Sequence, residues 1–290
     1  MWRTVRRSIR RRPALRAWLL PWWVFTLGLA WKIRKQFRPC APVVVGTPTG
    51  PVYMLAEGQI AEYMWSGGFE REERDFINRV VRPGMRIVNV GANAGLYCLI
   101  TSRLVGKLGQ VHAFEPSTSN FKRLCRNLSL NRCTNVRSSR LAIGEARERV
   151  AVVPDPENPA LDGHLRCRRF DGPPPPETME LSECETLDHY WTTLPENFGP
   201  QPPPVNVIII DVEGAEYSVL RGALETIRAS PLLLLMVECS SEPSRLAALL
   251  RTEGLECGVW DVGRGQIIRR GPSTGTIYAC RPENPLLASQ

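Results

Sequence analysis

At 290 residues and of ordinary composition, the chain can bury a full core, and one large domain with an appendage is the natural expectation. The net charge of +8 belongs to one end: residues 1–40 hold 11 of the 37 Lys and Arg and no acid, which leaves 26 bases against 29 acids in residues 41–290. A slightly acidic body lacks the basic face that nucleic-acid binding needs, and nine scattered cysteines, with no C-x-x-C pair and three histidines at no ligand spacing, point to a reducing compartment rather than a structural metal.

In chain order, the first segment is the basic head. Five of the eight tryptophans (Trp2, Trp18, Trp22, Trp23, Trp31) lie in it, and residues 17–31 carry no charge. As a helix these 15 residues reach about 22 Å, short of the roughly 30 Å hydrocarbon core, and Pro21 interrupts them. No small-x-small cleavage site follows. Basic flanks with terminal tryptophans suit a segment lying at the headgroups of an anionic leaflet, which predicts a cytoplasmic-side membrane surface as partner through residues 1–38. The spacing of Trp2, Val5 and Ile9 opposite Arg3, Arg6, Arg7 and Arg10 leaves an organelle-targeting segment, or a plain cytoplasmic protein, as alternatives.

After a lead-in at 41–70, residues 71–290 alternate between two periods. Residues 71–81 predict a helix closed by Pro83-Gly84. Strands are expected at 86–90, 110–115, 137–143, 205–210, 232–238, 256–260 and 276–280, and helices at 95–105, 118–130, 214–228 and 243–253. Near-continuous apolar strands such as VNVIII and LLLLMVE mean a mostly parallel sheet covered on both faces. Residues 144–204, with a proline-rich insertion at about 153–204, break the alternation; short β-like pieces with GPPPPE and PENFGPQPPP predict a hairpin and a loop on the sheet's edge, placed to touch substrate.

The first strand, RIVNV, stops at Gly91-Ala92-Asn93-Ala94-Gly95. A dinucleotide fingerprint would need glycine where Asn93 and Leu96 stand, and a P-loop would need Gly-Lys-Ser/Thr five residues on. What remains is a G-x-x-x-G turn for a phosphate-free nucleoside, with glycines allowing close backbone approach. The next strand ends in Glu115, placed to accept hydrogen bonds from ribose hydroxyls. Asp211 then ends a buried strand in NVIIIDVEGAEYSVLRGA, with Glu213 and Glu216 opening the following helix, and LLLLMVE ends in Glu238. Ligands of open α/β sheets bind at such carboxyl ends.

VGANAGLY, HAFEPSTSNFKRLCRNLSLN, CETLDHYW and IIIDVEGAEYSVLRGA resemble the FkbM-like family of S-adenosylmethionine-dependent methyltransferases over roughly residues 60–285. The resemblance implies a Rossmann-like class I methyltransferase, α/β, with a mostly parallel seven-stranded sheet, helices on both faces and the last strand antiparallel. It implies O-methylation of a hydroxyl on a small molecule, glycan or lipid-linked acceptor. Carried over by position, Gly91, Asn93 and Gly95 fall on the cofactor loop, Glu115 on the ribose position and Asp211 on the D of DVEG. The family usually has an acid where Asn89 stands, to help hold the cofactor's ammonium, and often a lysine where Ile209 stands. Asn89 can accept through its carbonyl but brings no charge.

Methyl transfer needs an aligned acceptor and a base. With no histidine in the strand-end motifs, Asp211 is the expected base, assisted by Glu213 or Glu238. Asp211 and Glu238 would also suit Mg²⁺. Glu216 is better explained as a helix N-terminal acid. Two other readings compete: a catalytically weakened cofactor-binding scaffold, favoured by Asn89, and an NAD(P)-linked oxidoreductase, which lacks its glycines.

Overall fold

The computed structural model describes residues 42–55, 64, 69–154, 165–170, 172, 179–194, 203–239, 241–271 and 275–288, with three isolated helical positions at 30, 33 and 36. The expected membrane-surface segment at 1–38 otherwise lies outside the described residues, as does most of the proline-rich part of the insertion. Among the described residues no helix is long and apolar enough to cross a membrane.

The strands are β1 (Val43–Thr47), β2 (Gly50–Met54), β3 (Arg86–Val90), β4 (Gln110–Phe114), β5 (Val136–Ser139), β6 (Ala142–Ile143), β7 (Glu148–Pro154), β8 (Leu165–Arg169), β9 (Glu180–Glu185), β10 (Val207–Ile210), β11 (Leu234–Cys239), β12 (Glu256–Asp261), β13 (Gln266–Arg269) and β14 (Gly275–Cys280). The helices are α1 (Arg71–Val80), α2 (Leu96–Val105), α3 (Thr118–Leu130), α4 (Leu187–Thr192), α5 (Glu216–Arg221), α6 (Leu224–Arg228) and α7 (Pro243–Thr252). The main sheet runs in the order β13-β12-β14-β11-β10-β3-β4-β5. From β11 to β5 it is parallel, and β14 enters antiparallel between β11 and β12.

Each central strand is dry on both sides. Ile87, Val207, Ile209, Leu234 and Met236 pack with α1, α2 and the β1–β2 hairpin, while Val88, Val90, Ile208, Ile210, Leu235 and Val237 pack with α4, α5, α6 and α7. This two-sided burial explains why the strands read as unbroken apolar runs instead of alternating.

Four expectations need correction. The sheet has eight strands, not seven, because Asp261 turns the chain back into β13: its carboxylate accepts from Arg264 N (2.8 Å), its carbonyl from Gly265 N (2.7 Å), and Gly265 takes φ +67°. The run 137–143 is two strands; β5 closes the main sheet, while β6 belongs to a separate sheet of order β6-β9-β7-β8. The expected hairpin is present as the antiparallel pair β7–β8, but it belongs to that second sheet rather than to the main sheet's edge. Lastly, 214–228 is two short helices. The backbone of Gly144 crosses at Gly222, where a Cβ would stand 1.9 Å from the Gly144 carbonyl oxygen, and the helix breaks there.

The lead-in also holds structure that its sequence did not announce, the antiparallel hairpin β1–β2. It is tied down from α3. Asn131 accepts from Tyr53 N at 2.8 Å, and Asn127 accepts from Leu55 N (2.7 Å) while donating to the carbonyls of Leu55 (3.0 Å) and Ala94 (2.8 Å). Asn127, fully buried, therefore joins the lead-in to the glycine turn.

Candidate active site

Strands β4, β3, β10 and β11 lie side by side, and their carboxyl ends open into one cavity of about 340 Å³. The glycine turn forms its floor with φ +81° at Gly91, +46° at Asn93 and +96° at Gly95. Only glycine, or a short polar residue such as Asn, takes these values cheaply. The glycines serve packing as well as approach to a ligand. A Cβ on Gly91 would stand 1.8 Å from the Asp211 carbonyl oxygen, and one on Gly95 would stand 2.6 Å from Leu124 Cδ1.

Glu115 follows β4 and cross-links the turn. Its Oε2 accepts from Asn93 N (2.8 Å), its Oε1 from Ser117 N (3.0 Å), and the Asn120 side chain also bonds to it. Burial pushes its pKa up to about 7, against the pull of these donors. These three donors leave the carboxylate one further lone-pair site for a ligand hydroxyl.

At the other end of the cavity, Asp211 and Glu238 meet as expected, and Glu213 lines the wall beside them. Asp211 is hydrogen-bonded to Glu238, and its pKa rises well above the carboxylate range through burial first and then the charges of Glu238 and Glu70. Sequence reasoning missed Glu70. Carboxylate oxygens of Glu70, Asp211 and Glu238 all lie within 4.8 Å of one another. Burial raises Glu70 to about 8, countered by a hydrogen bond from the Tyr97 hydroxyl at the start of α2. Glu70 precedes α1 with φ +43°, a strained value for a glutamate. Its one sequence signal is its place at the head of the charged run EREERD, which does not distinguish it from solvated helix acids.

Asn89 and Glu216 stand outside the cavity lining, the first against expectation and the second in keeping with it. Asn89 is 1% exposed and does not line the cavity; its amide donates to Cys98 Sγ at 3.2 Å, and its carbonyl oxygen has no hydrogen-bond partner. Glu216 is buried at the start of α5, where it accepts from Gly214 N (3.2 Å), the structural role expected of it. The rest of the lining is mostly apolar: Met54, Met64 and Phe69 from the lead-in, and Leu141, Ile143 and Leu165 from β6, β8 and the approach to β6.

Five carboxylates line the cavity (Glu70, Glu115, Asp211, Glu213, Glu238), with no Lys, Arg or His among the described lining residues. Such a charge set repels the pyrophosphate of a dinucleotide and fits a cationic, phosphate-free one. A doubly wound sheet with this strand order, a glycine turn after its first parallel strand and acids at three further strand ends define a Rossmann-like methyltransferase domain, for which S-adenosylmethionine is the fitting cofactor.

Residues 89–258 match the family described as Methyltransferase FkbM domain, and the chain belongs to that family. A curated relative, "Methyltransferase 1" of Beauveria bassiana (strain ARSEF 2860), is 28% identical over 144 residues. The match takes in 47% of this chain and 57% of the relative, so the chain spans a little over half of that protein's length. Solved structures with a similar chain course include an rRNA methylase from Streptococcus thermophilus (14% identity, 73% of this chain and 95% of that one, TM-score 0.39). Another is a SAM-dependent methyltransferase from Aquifex aeolicus (13% identity, 72% and 87%, TM-score 0.36).

Replacing Glu115 by Ala removes the bracket on Asn93 and Ser117 and tests the ribose role expected of this carboxylate. Affinity for S-adenosylmethionine should fall by about tenfold or more in calorimetry, and an unchanged affinity would take Glu115 out of the cofactor site.

Proposed function

We propose that the protein is an S-adenosylmethionine-dependent O-methyltransferase acting on a hydroxyl of a small molecule, glycan or lipid-linked acceptor. The observation that carries this reading is one cavity lined by Glu115 beside the glycine turn and by the carboxylate cluster at Asp211, with no Lys, Arg or His among its described lining residues. The cofactor supplies an electrophilic methyl group on a sulfonium centre. Everything else falls to the chain. Asp211, hydrogen-bonded to Glu238 and with its pKa raised by burial and by the charges of Glu238 and Glu70, is the base, and its ionised form carries the negative charge that the reaction needs. With the cofactor bound, that charge would take the acceptor's hydroxyl proton as the acceptor oxygen bonds to the methyl and the S–CH3 bond breaks, the neutral thioether leaving. The apolar wall of Met54, Met64, Phe69 and Leu165 excludes water and leaves the acceptor to be neutral where it meets the acids. Keeping this machinery argues against the scaffold reading.

Two finer points belong to the same proposal. Glu70, Asp211 and Glu238 are the one group among the described residues able to offer a cation three carboxylate ligands, which keeps the Mg²⁺ variant open to a direct test. Transfer rates unaffected by EDTA would remove it. The basic, tryptophan-rich residues 1–38 support a membrane-surface location, where lipid-linked acceptors lie. Full-length protein recovered wholly in the soluble fraction at low salt would remove that as well.

Asp211→Asn should lower kcat by at least about 100-fold, the scale of a lost general base, while cofactor binding persists. Because the base acts only when ionised and its pKa is raised, wild-type kcat should keep climbing with pH above the range in which an ordinary aspartate ionises. An ordinary aspartate would give a rate already flat above about pH 5. A flat profile, or full activity in the variant, would assign the proton to another group.

A further inference from the structure

The order of the strands fixes which end of the ligand meets which acid. With ribose hydroxyls on Glu115 after β4, a ligand crossing the glycine turn of β3 reaches β10 after two strand spacings, about 10 Å. That is the reach of the methionine arm, so the cofactor's sulfonium and ammonium fall beside Glu70, Asp211 and Glu238. We propose that Glu70 is the ammonium-binding residue of this site, an assignment that rests on reading the cavity as an S-adenosylmethionine site.

Glu70 differs from the other two acids in what already engages it. Asp211 and Glu238 are hydrogen-bonded to each other. The Glu70 carboxyl is held instead by the Tyr97 hydroxyl, and Tyr97 stands two residues after Gly95, so the acid is aimed from the side of the cofactor loop. Around it stand Tyr97 from α2, Glu73 and Arg74 from α1, Glu238 from β11 and Asp211 after β10. Arg74 is the weakest of the influences on Glu70 and does not line the cavity. Glu70 also lies outside residues 89–258, so the family match assigns it nothing.

The test is calorimetry on the full chain with two probes, S-adenosylhomocysteine and its analogue lacking the α-amino group. Glu70→Gln keeps shape and removes charge. It should weaken the amino-bearing probe by about tenfold or more, the worth of a hydrogen bond to a charged group, and leave the analogue within about twofold. Tyr97→Phe keeps the carboxylate but frees it, and should weaken the amino-bearing probe by a smaller factor, again sparing the analogue. If both variants weaken the two probes equally, Glu70 is only a structural cap and the assignment fails. Unchanged affinity in Glu70→Gln also overturns it while the cofactor site stands. A wild-type chain that binds neither probe overturns the proposed function, and this inference with it.

Discussion

Where β3 and β10 end side by side, the carbonyl oxygen of Asp211 occupies the space that a side chain on Gly91 would need, 1.8 Å from an ideal Cβ. The two backbones are further pinned by Asp211 N donating to the Val90 carbonyl at 3.0 Å. The amides of Gly91 and Ala92 continue to the other neighbour, bonding the Phe114 carbonyl at 3.0 and 2.9 Å. Three strand ends are thus locked in register within a few residues, and Asp211, the glycine turn and Glu115 cannot move independently. The cavity exists because β3 turns away at a residue without a side chain.

That lock gathers acids at a thermodynamic cost. Glu115 and Glu70 have folded-state pKa values of about 7 and about 8, both above their ordinary 4.5. A folded state that binds protons more tightly than the unfolded chain is favoured at low pH, and this advantage is lost as pH rises from about 4.5 towards 8. Gathering these acids therefore costs stability as pH rises, a cost that a cationic ligand at the cavity would offset. Binding energy and local instability are two faces of one charge distribution, and the donors around Glu115 offset part of the cost while fixing its direction.

Legibility in the sequence followed how local each cause was. Strands β3, β10 and β11, and α3 to the residue, were readable because two-sided burial and capping act within a few positions; Ser117, for instance, accepts from Asn120 N to start α3. Asp211, Glu115 and the loop glycines were readable because strand ends and turns carry their own residue types. The second sheet was not, since its pairing of β6 with β9 joins residues some forty positions apart across proline-rich chain. The splitting of 214–228 depended on a crossing backbone at Gly144. Glu70 was hidden for the same reason: the Tyr97 hydroxyl, Asp211 and Glu238 that surround it lie far along the chain, and none of them marks residue 70.

Position 89 shows how motif and cavity can part company. By resemblance an acid is expected there, and its absence looked like a weakness in the site. The chain instead buries Asn89 against Cys98, away from the cavity lining. A carboxylate at that depth, facing a thiol and no cation, would be costly. Negative charge at the cavity comes from strand ends and from the lead-in, where the acids line the ligand space. What the site requires is charge at a place in space, and a residue from outside the conventional motif meets that requirement as well as one inside it.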